Sequence, residues 1–167
     1  MAICGRTSTM RPTVYLETTI PSYLTARLSR DLRTAARQQV TLEWWETRRV
    51  DFECLVSPIV LREAVKGNAV AAKARLDAMA SCRVLAITPA MVDLAESLIQ
   101  TGIVPSSVPD DAAHIAIAAM SGVRFLLTWN FKHIANAEKA DEIRAFCMRA
   151  GYICPTICTP EELLEAP

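Results

Sequence analysis

The chain has 167 residues, of which 51% are apolar and 22% charged, with only 5 Gly. That balance suits one folded domain with a core of useful size, and it excludes a disordered tail. Lys and Arg total 18 against 18 Asp and Glu, so nucleic-acid binding has no support from overall charge and would need a local basic patch, for which Arg124, Lys132, Lys139 and Arg144 are candidates.

Residues 1–12 show no periodicity and no continuous apolar stretch of the kind a secretory leader needs, so they read as a non-core extension, with Met10 an alternative start. A single domain is expected over 13–160 and a short tail over 161–167. Thr13 to Leu16 is a short β-branched and aromatic run, hence a buried strand. Thr18 or Thr19 suits the cap of the next helix, with Pro21 near its first turn. A long helix is expected from about Asp31 to Arg49, with Leu32, Ala35, Ala36, Val40 and Trp44 on one face.

Glu53 to Ser57 gives a second strand, and Ser57-Pro58 opens a helix that carries Glu63 and stops near Gly67-Asn68. A helix over Ala69–Ala80, a strand over Arg83–Ile87 and a helix over Ala90–Gln100 follow. After the loop Pro105–Pro109 comes a helix from Asp110 to Met120, apolar nearly all round and therefore buried. Ala112–Met120 within it is the longest apolar stretch, too short to span a bilayer and interrupted by His114, so no membrane association is expected. Phe125–Thr128 reads as a fourth strand, Ala137–Ala150 as a helix, Tyr152–Ile157 as a fifth strand, and Thr159–Glu162 as the start of a terminal helix. Strands alternating with helices predict an α/β fold with a parallel sheet.

The six cysteines, at 4, 54, 82, 147, 154 and 158, lack the paired spacing of a zinc knuckle. They read as free thiols in a reducing cytoplasm.

Four strand-like runs lead into oxygen-bearing side chains: Leu16 into Glu17, Ser57 toward Glu63, Pro109 into Asp110 and Asp111, and Thr128 toward Asn130. In a parallel sheet such ends gather at one edge. Carboxylates gathered without matching cations call for a hard divalent ion, and a site of that kind activates water for phosphate chemistry. Each residue also has a plainer use. Asp110 and Asp111 suit a first helical turn, Glu63 a solvated strip between Arg62 and Lys66, and Glu17 a helix cap. His114 falls three residues after Asp111 on the same face and suits a carboxylate's hydrogen-bonding partner, or a buried ring satisfied by backbone. His133 lies just beyond Asn130, where it suits contact with phosphate or packing against the turn.

These stretches resemble the PIN-domain family, in particular the VapC-type toxin ribonucleases of toxin–antitoxin pairs. The residues that carry the resemblance are Val14-Tyr15-Leu16-Glu17-Thr18-Thr19, Ile59-Val60-Leu61-Arg62-Glu63, Asp111-Ala112-Ala113-His114-Ile115-Ala116, and Leu126-Leu127-Thr128-Trp129-Asn130-Phe131-Lys132-His133. The resemblance implies a three-layer α/β/α sandwich with a central parallel sheet of four to five strands, and a Mg²⁺- or Mn²⁺-dependent endoribonuclease. It implies Glu17, Glu63 and Asp111 as acidic ligands, Asn130 at the usual fourth acidic position, Thr18 and Thr128 as hydroxyl neighbours, and Asp110 as an alternative ligand. Glu17 and Asn130 depart from the usual Asp at the first and fourth positions. The resemblance further implies an RNA substrate, a homodimer, and an antitoxin protein held in an apolar groove to which Leu24, Leu28, Trp44 and Trp45 contribute, unless those side chains pack into the core. A non-catalytic PIN-like module that binds RNA or a protein is the competing expectation.

Overall fold

A computed structural model describes residues Met10–Glu165. Most of the expected extension therefore lies outside the described residues, as do the last two residues of the expected tail. Within the described chain, five strands form one all-parallel sheet: β1 (Thr13–Leu16), β2 (Glu53–Val56), β3 (Arg83–Val84), β4 (Phe125–Leu127) and β5 (Thr156–Cys158). Their order in space is β3-β2-β1-β4-β5. Seven α-helices accompany them: α1 (Thr19–Thr25), α2 (Leu32–Thr47), α3 (Pro58–Ala64), α4 (Ala69–Met79), α5 (Pro89–Gln100), α6 (Pro109–Met120) and α7 (Ala140–Arg149). The architecture is a three-layer α/β/α sandwich, with α1 packed on α2 and α4, and α5 on α6.

Parallel strands covered on both faces are apolar where they are buried, as β1, β2 and β4 are beyond the first residue of each. Val14, Tyr15 and Leu16 are fully buried, beside Leu55, Val56, Leu126 and Leu127. The register Tyr15↔Leu55 and Tyr15↔Leu126 puts β1 at the centre of the sheet. Chain order reverses there: β2 and β3 lie to one side of β1, β4 and β5 to the other. Crevices for ligands open outside the carboxyl ends of strands at such a switch point.

Several elements differ from expectation for local reasons. The buried face of α2 is Gln38, Thr41 and Trp44, while Leu32 is 85% exposed. Two polar residues are tolerated inside because their hydrogen bonds are made. Gln38 accepts from the Ser29 amide and donates to the Arg27 carbonyl, and Thr41 accepts from Trp129 Nε1 at 2.8 Å. Strand β3 shortens to two exposed residues at the sheet edge. Strand β5 begins at Thr156, beyond the expected start at Tyr152, because Pro155 has no N–H to donate and the Thr156 amide makes the first bond, to the Arg124 carbonyl. The helix expected from Ala137 begins at Ala140, after a turn in which Asn136 Oδ1 accepts from the Glu138 amide. Gly102 and Gly151, just past α5 and α7, adopt φ of +75° and +86°, which a side chain would strain.

Trp44 is fully buried against Phe52, so it belongs to the core and offers nothing to a partner. Leu28 is 65% exposed, and Trp45 is partly buried beneath the Arg49 guanidinium. Among the described residues no helix is long and apolar enough to cross a membrane.

Candidate metal centre

Glu17 directly follows the buried β1 and is itself only 4% exposed. Its amide donates to the Leu127 carbonyl at 3.0 Å, which fixes it at the junction of β1 and β4. Its Oε2 accepts from the Thr19 amide at 3.1 Å, Thr19 Oγ1 at 2.5 Å and Thr128 Oγ1 at 2.7 Å. Thr128, the residue after β4, also accepts from the Asn130 amide at 2.9 Å. One carboxylate oxygen is thus saturated by donors from both strand ends, and the side chain has a single position.

Glu63 reaches the same place from α3. Its Oε2 accepts from Thr18 Oγ1 and lies 3.2 Å from His114 Nε2. Burial works to raise its pKa, but the hydrogen bonds from His114 and Thr18 outweigh burial, and the carboxyl sits below its ordinary range. Thr18 thus serves Glu63 and makes no side-chain cap for α1.

His114 is 1% exposed, and its second nitrogen is also engaged. Nδ1 lies 2.8 Å from the Tyr15 hydroxyl, which lies 2.7 Å from Ser57 Oγ. A neutral imidazole satisfies all these partners at once: Ser57 donates to Tyr15, Tyr15 to Nδ1, and Nε2–H to Glu63. Burial pushes the Tyr15 phenol far above its usual pKa, so it stays a neutral donor. His114 therefore orients Glu63, as carboxylate-bound histidines do around metal sites.

Asp111 stands in the first turn of α6, half-buried. Burial raises its pKa. The Asn130 side chain opposes that most strongly, while the Glu63 charge adds to the rise, and His114 and His133 are near enough to lower it whenever they carry a proton. Asp111, Glu63, His114, Asn130 and His133 therefore share one neighbourhood. Asp110 does not join it, because its Oδ1 lies 2.5 Å from Arg62 Nη2 in a partly exposed ion pair. Asn130 Oδ1 accepts from the His133 amide at 3.1 Å, so its oxygen closes the turn that carries His133. Lys132 is exposed. Of the other basic candidates, Lys139 pairs with Glu142, Arg144 pairs with Asp141, and Arg124 lies over the Phe125 ring.

Ligand atoms of Glu17, Glu63 and His114 all fall within 4.8 Å of one another. Two carboxylates that close repel by roughly 3–4 kcal/mol at an effective dielectric of about 20. Among the described residues no Lys or Arg forms an ion pair with Glu17, Glu63 or Asp111. Lys66 contributes only the smallest of the attractions on Glu63. The saturated oxygens are the Oε2 atoms, and among the described residues no hydrogen bond ends on either Oε1. Glu17, Glu63 and His114 form the group close enough to share an ion, with Asp111 in the same neighbourhood but outside that group, and the free carboxylate oxygens are donors that fit a metal ion.

Tyr15, Ser57 and Thr19 are the supporting residues that the sequence did not single out for the site. Tyr15 and Ser57 read locally as strand and helix cap. A polar phenol inside a run otherwise wholly apolar was the available signal, since a buried Tyr needs a partner for its hydroxyl. A scan against family models finds no match, and neither a search of curated proteins nor one of solved structures finds a similar protein.

Proposed function

We propose that this protein is a metal-dependent endoribonuclease that hydrolyses RNA phosphodiesters. The observation that carries the reading is the convergence of Glu17 and Glu63 at the switch point, with Asp111 alongside and without a compensating ion pair. Hard carboxylate oxygens select Mg²⁺ or Mn²⁺, and Glu17, Glu63 and Asp111 would hold the ion. A bound ion of this kind stabilises charge on phosphoryl oxygens and lowers the pKa of water. The chain's own residues supply position. Thr19 and Thr128 hold Glu17, while Thr18 and His114 hold Glu63, so neither carboxylate must reorganise during a reaction. On this reading Asn130 and His133, near Asp111, would be the donors offered to a phosphate oxygen. The purified protein is expected to cleave single-stranded RNA with Mn²⁺ or Mg²⁺ and to stop when chelator is added. Unchanged cleavage by Asp111→Asn would remove Asp111 from the site.

A second reading, a non-catalytic module that binds RNA or protein, draws on Asn130, whose side-chain oxygen is spent on its own turn. Thermal melting under a Mn²⁺ titration separates the two. A genuine site raises the melting temperature by mass action, and the module leaves it flat.

A further inference from the structure

At the opposite, amino-terminal edge of the sheet, two cysteines stand side by side. Cys54 is the second residue of β2 and Cys82 immediately precedes β3. The register Leu55↔Arg83 and Val56↔Val84, stepped back by one, sets Cys54 against Cys82. Neighbouring strands run about 4.8 Å apart, inside the Cα separation of about 4.4–6.8 Å that a disulfide accepts. Both sulfurs are reduced.

An open cleft of about 380 Å³ reaches Cys54, lined also by Arg11, Arg49, Glu53, Ser81 and Arg83, with the buried Cys82 between the last two in sequence. Three guanidiniums face one carboxylate, so the cleft is electropositive. Arg83 is paired with Glu53 at 2.8 Å, and Arg11 donates to the Val50 carbonyl at 3.2 Å. Arg49 is held by Ser81 and by the Trp45 ring 4.6 Å away, yet its Nε is buried without a hydrogen-bond partner among the described residues. A buried cationic N–H without a partner is costly unless an anionic acceptor comes to it. Cys82, beside it, is such an acceptor as a thiolate. The Cys54 S–H, and then Arg49, hold the Cys82 thiol below its ordinary range against burial, while the same contact and burial push Cys54 up.

We propose that Cys54 and Cys82 form a reactive dithiol, and that small anionic disulfides entering the arginine-lined cleft convert it to an intrachain disulfide. The thiolate of the pair attacks one sulfur of the incoming disulfide, joining it as a mixed disulfide and releasing the other half as thiolate. The second cysteine loses its proton to water and attacks the protein sulfur of that mixed disulfide, expelling the remaining half. The protein loses two hydrogens, and the small disulfide is reduced to two thiols. This site is independent of the carboxylates at the other edge.

The test uses the full chain, reduced and then exposed to glutathione disulfide, with cystamine as a cationic comparison. After alkylation and non-reducing trypsin digestion, the peptide Val50–Arg62 should be found linked to Leu76–Arg83. Relative to the denatured chain with the same reagent, glutathione disulfide should outpace cystamine by about tenfold. Cys54→Ser should instead accumulate a stable glutathione adduct on Cys82. Oxidation elsewhere without that linked pair would overturn the dithiol, and equal relative rates for the two reagents would overturn the cleft's role. Failure of Cys54→Ser to hold an adduct on Cys82 would remove Cys82 as the attacking sulfur.

Discussion

The two edges of this sheet are chemical opposites made by the same strands. At the carboxyl edge, β1 and the segment after β2 deliver Glu17 and Glu63 beside Asp111, with no ion pair from Lys or Arg among the described residues. At the amino edge, β2 begins with Glu53-Cys54 among Arg11, Arg49 and Arg83. A formal net charge of zero thus coexists with one acidic and one basic locality. The lesson is that overall charge does not report on a site; what matters is where each cation is already committed. Arg62 shows this most directly. It neighbours Glu63 in sequence, yet its charge goes to Asp110, and Glu63 keeps its own.

The comparison breaks most visibly through the ligands. Glu63→Gln keeps the shape of the side chain and removes its charge, and should lower Mn²⁺-dependent RNA cleavage by about a hundredfold or more, as read by initial rates. The same assay on Cys54→Ser should show an unchanged rate, because the thiols lie at the far edge.

A smaller effect is expected from Tyr15→Phe. It preserves the ring but leaves Ser57 Oγ and His114 Nδ1 without their shared partner inside the core. The cost should be about 1–3 kcal/mol in urea unfolding. Mn²⁺ affinity should also fall by about tenfold, because His114 no longer holds Glu63 in one position. Lost stability with intact affinity would confine the chain of hydrogen bonds to a folding role.

The pH dependence sharpens the contrast within the acidic edge. Glu63 has a folded pKa below its unfolded value, so it contributes stability above the ordinary carboxylate range, and that stability is lost as pH falls through the folded pKa. Asp111 has the opposite sign. Its folded pKa is raised, so its charged form opposes folding, and this loss develops as pH rises through the carboxylate range. Without metal, Asp111→Asn should therefore melt at a slightly higher temperature than the parent at neutral pH. With Mn²⁺ the order should reverse, because only the parent gains the full stabilisation by binding. Differential scanning calorimetry with and without chelator reads both signs.

Much of this was legible from local pattern. The runs Val14-Tyr15-Leu16 and Cys54-Leu55-Val56 declared buried strands because a sheet covered on both faces tolerates nothing else. The placing of Glu17 and Glu63 beyond strand ends followed from the same logic. What local pattern missed is what depends on distant partners. Gln38 and Thr41 displace Leu32 from the core face of α2 only because Arg27, Ser29 and Trp129 supply hydrogen bonds. The link from Tyr15 to His114 joins positions 99 apart in sequence, and that from Thr18 to Glu63 spans 45. The split between Asp110 and Asp111, adjacent in the chain, depends on where Arg62 points. Cys54 read as one free thiol among six because Cys82, its neighbour in the sheet, belongs to a different strand segment of the sequence.

The most direct measurement is a crystal of the protein soaked in Mn²⁺ and recorded at a wavelength where manganese scatters anomalously. A peak within bonding distance of carboxylate oxygens from Glu17, Glu63 and Asp111 is the predicted result. No peak there at saturating Mn²⁺, or one bound by other residues, would contradict the account.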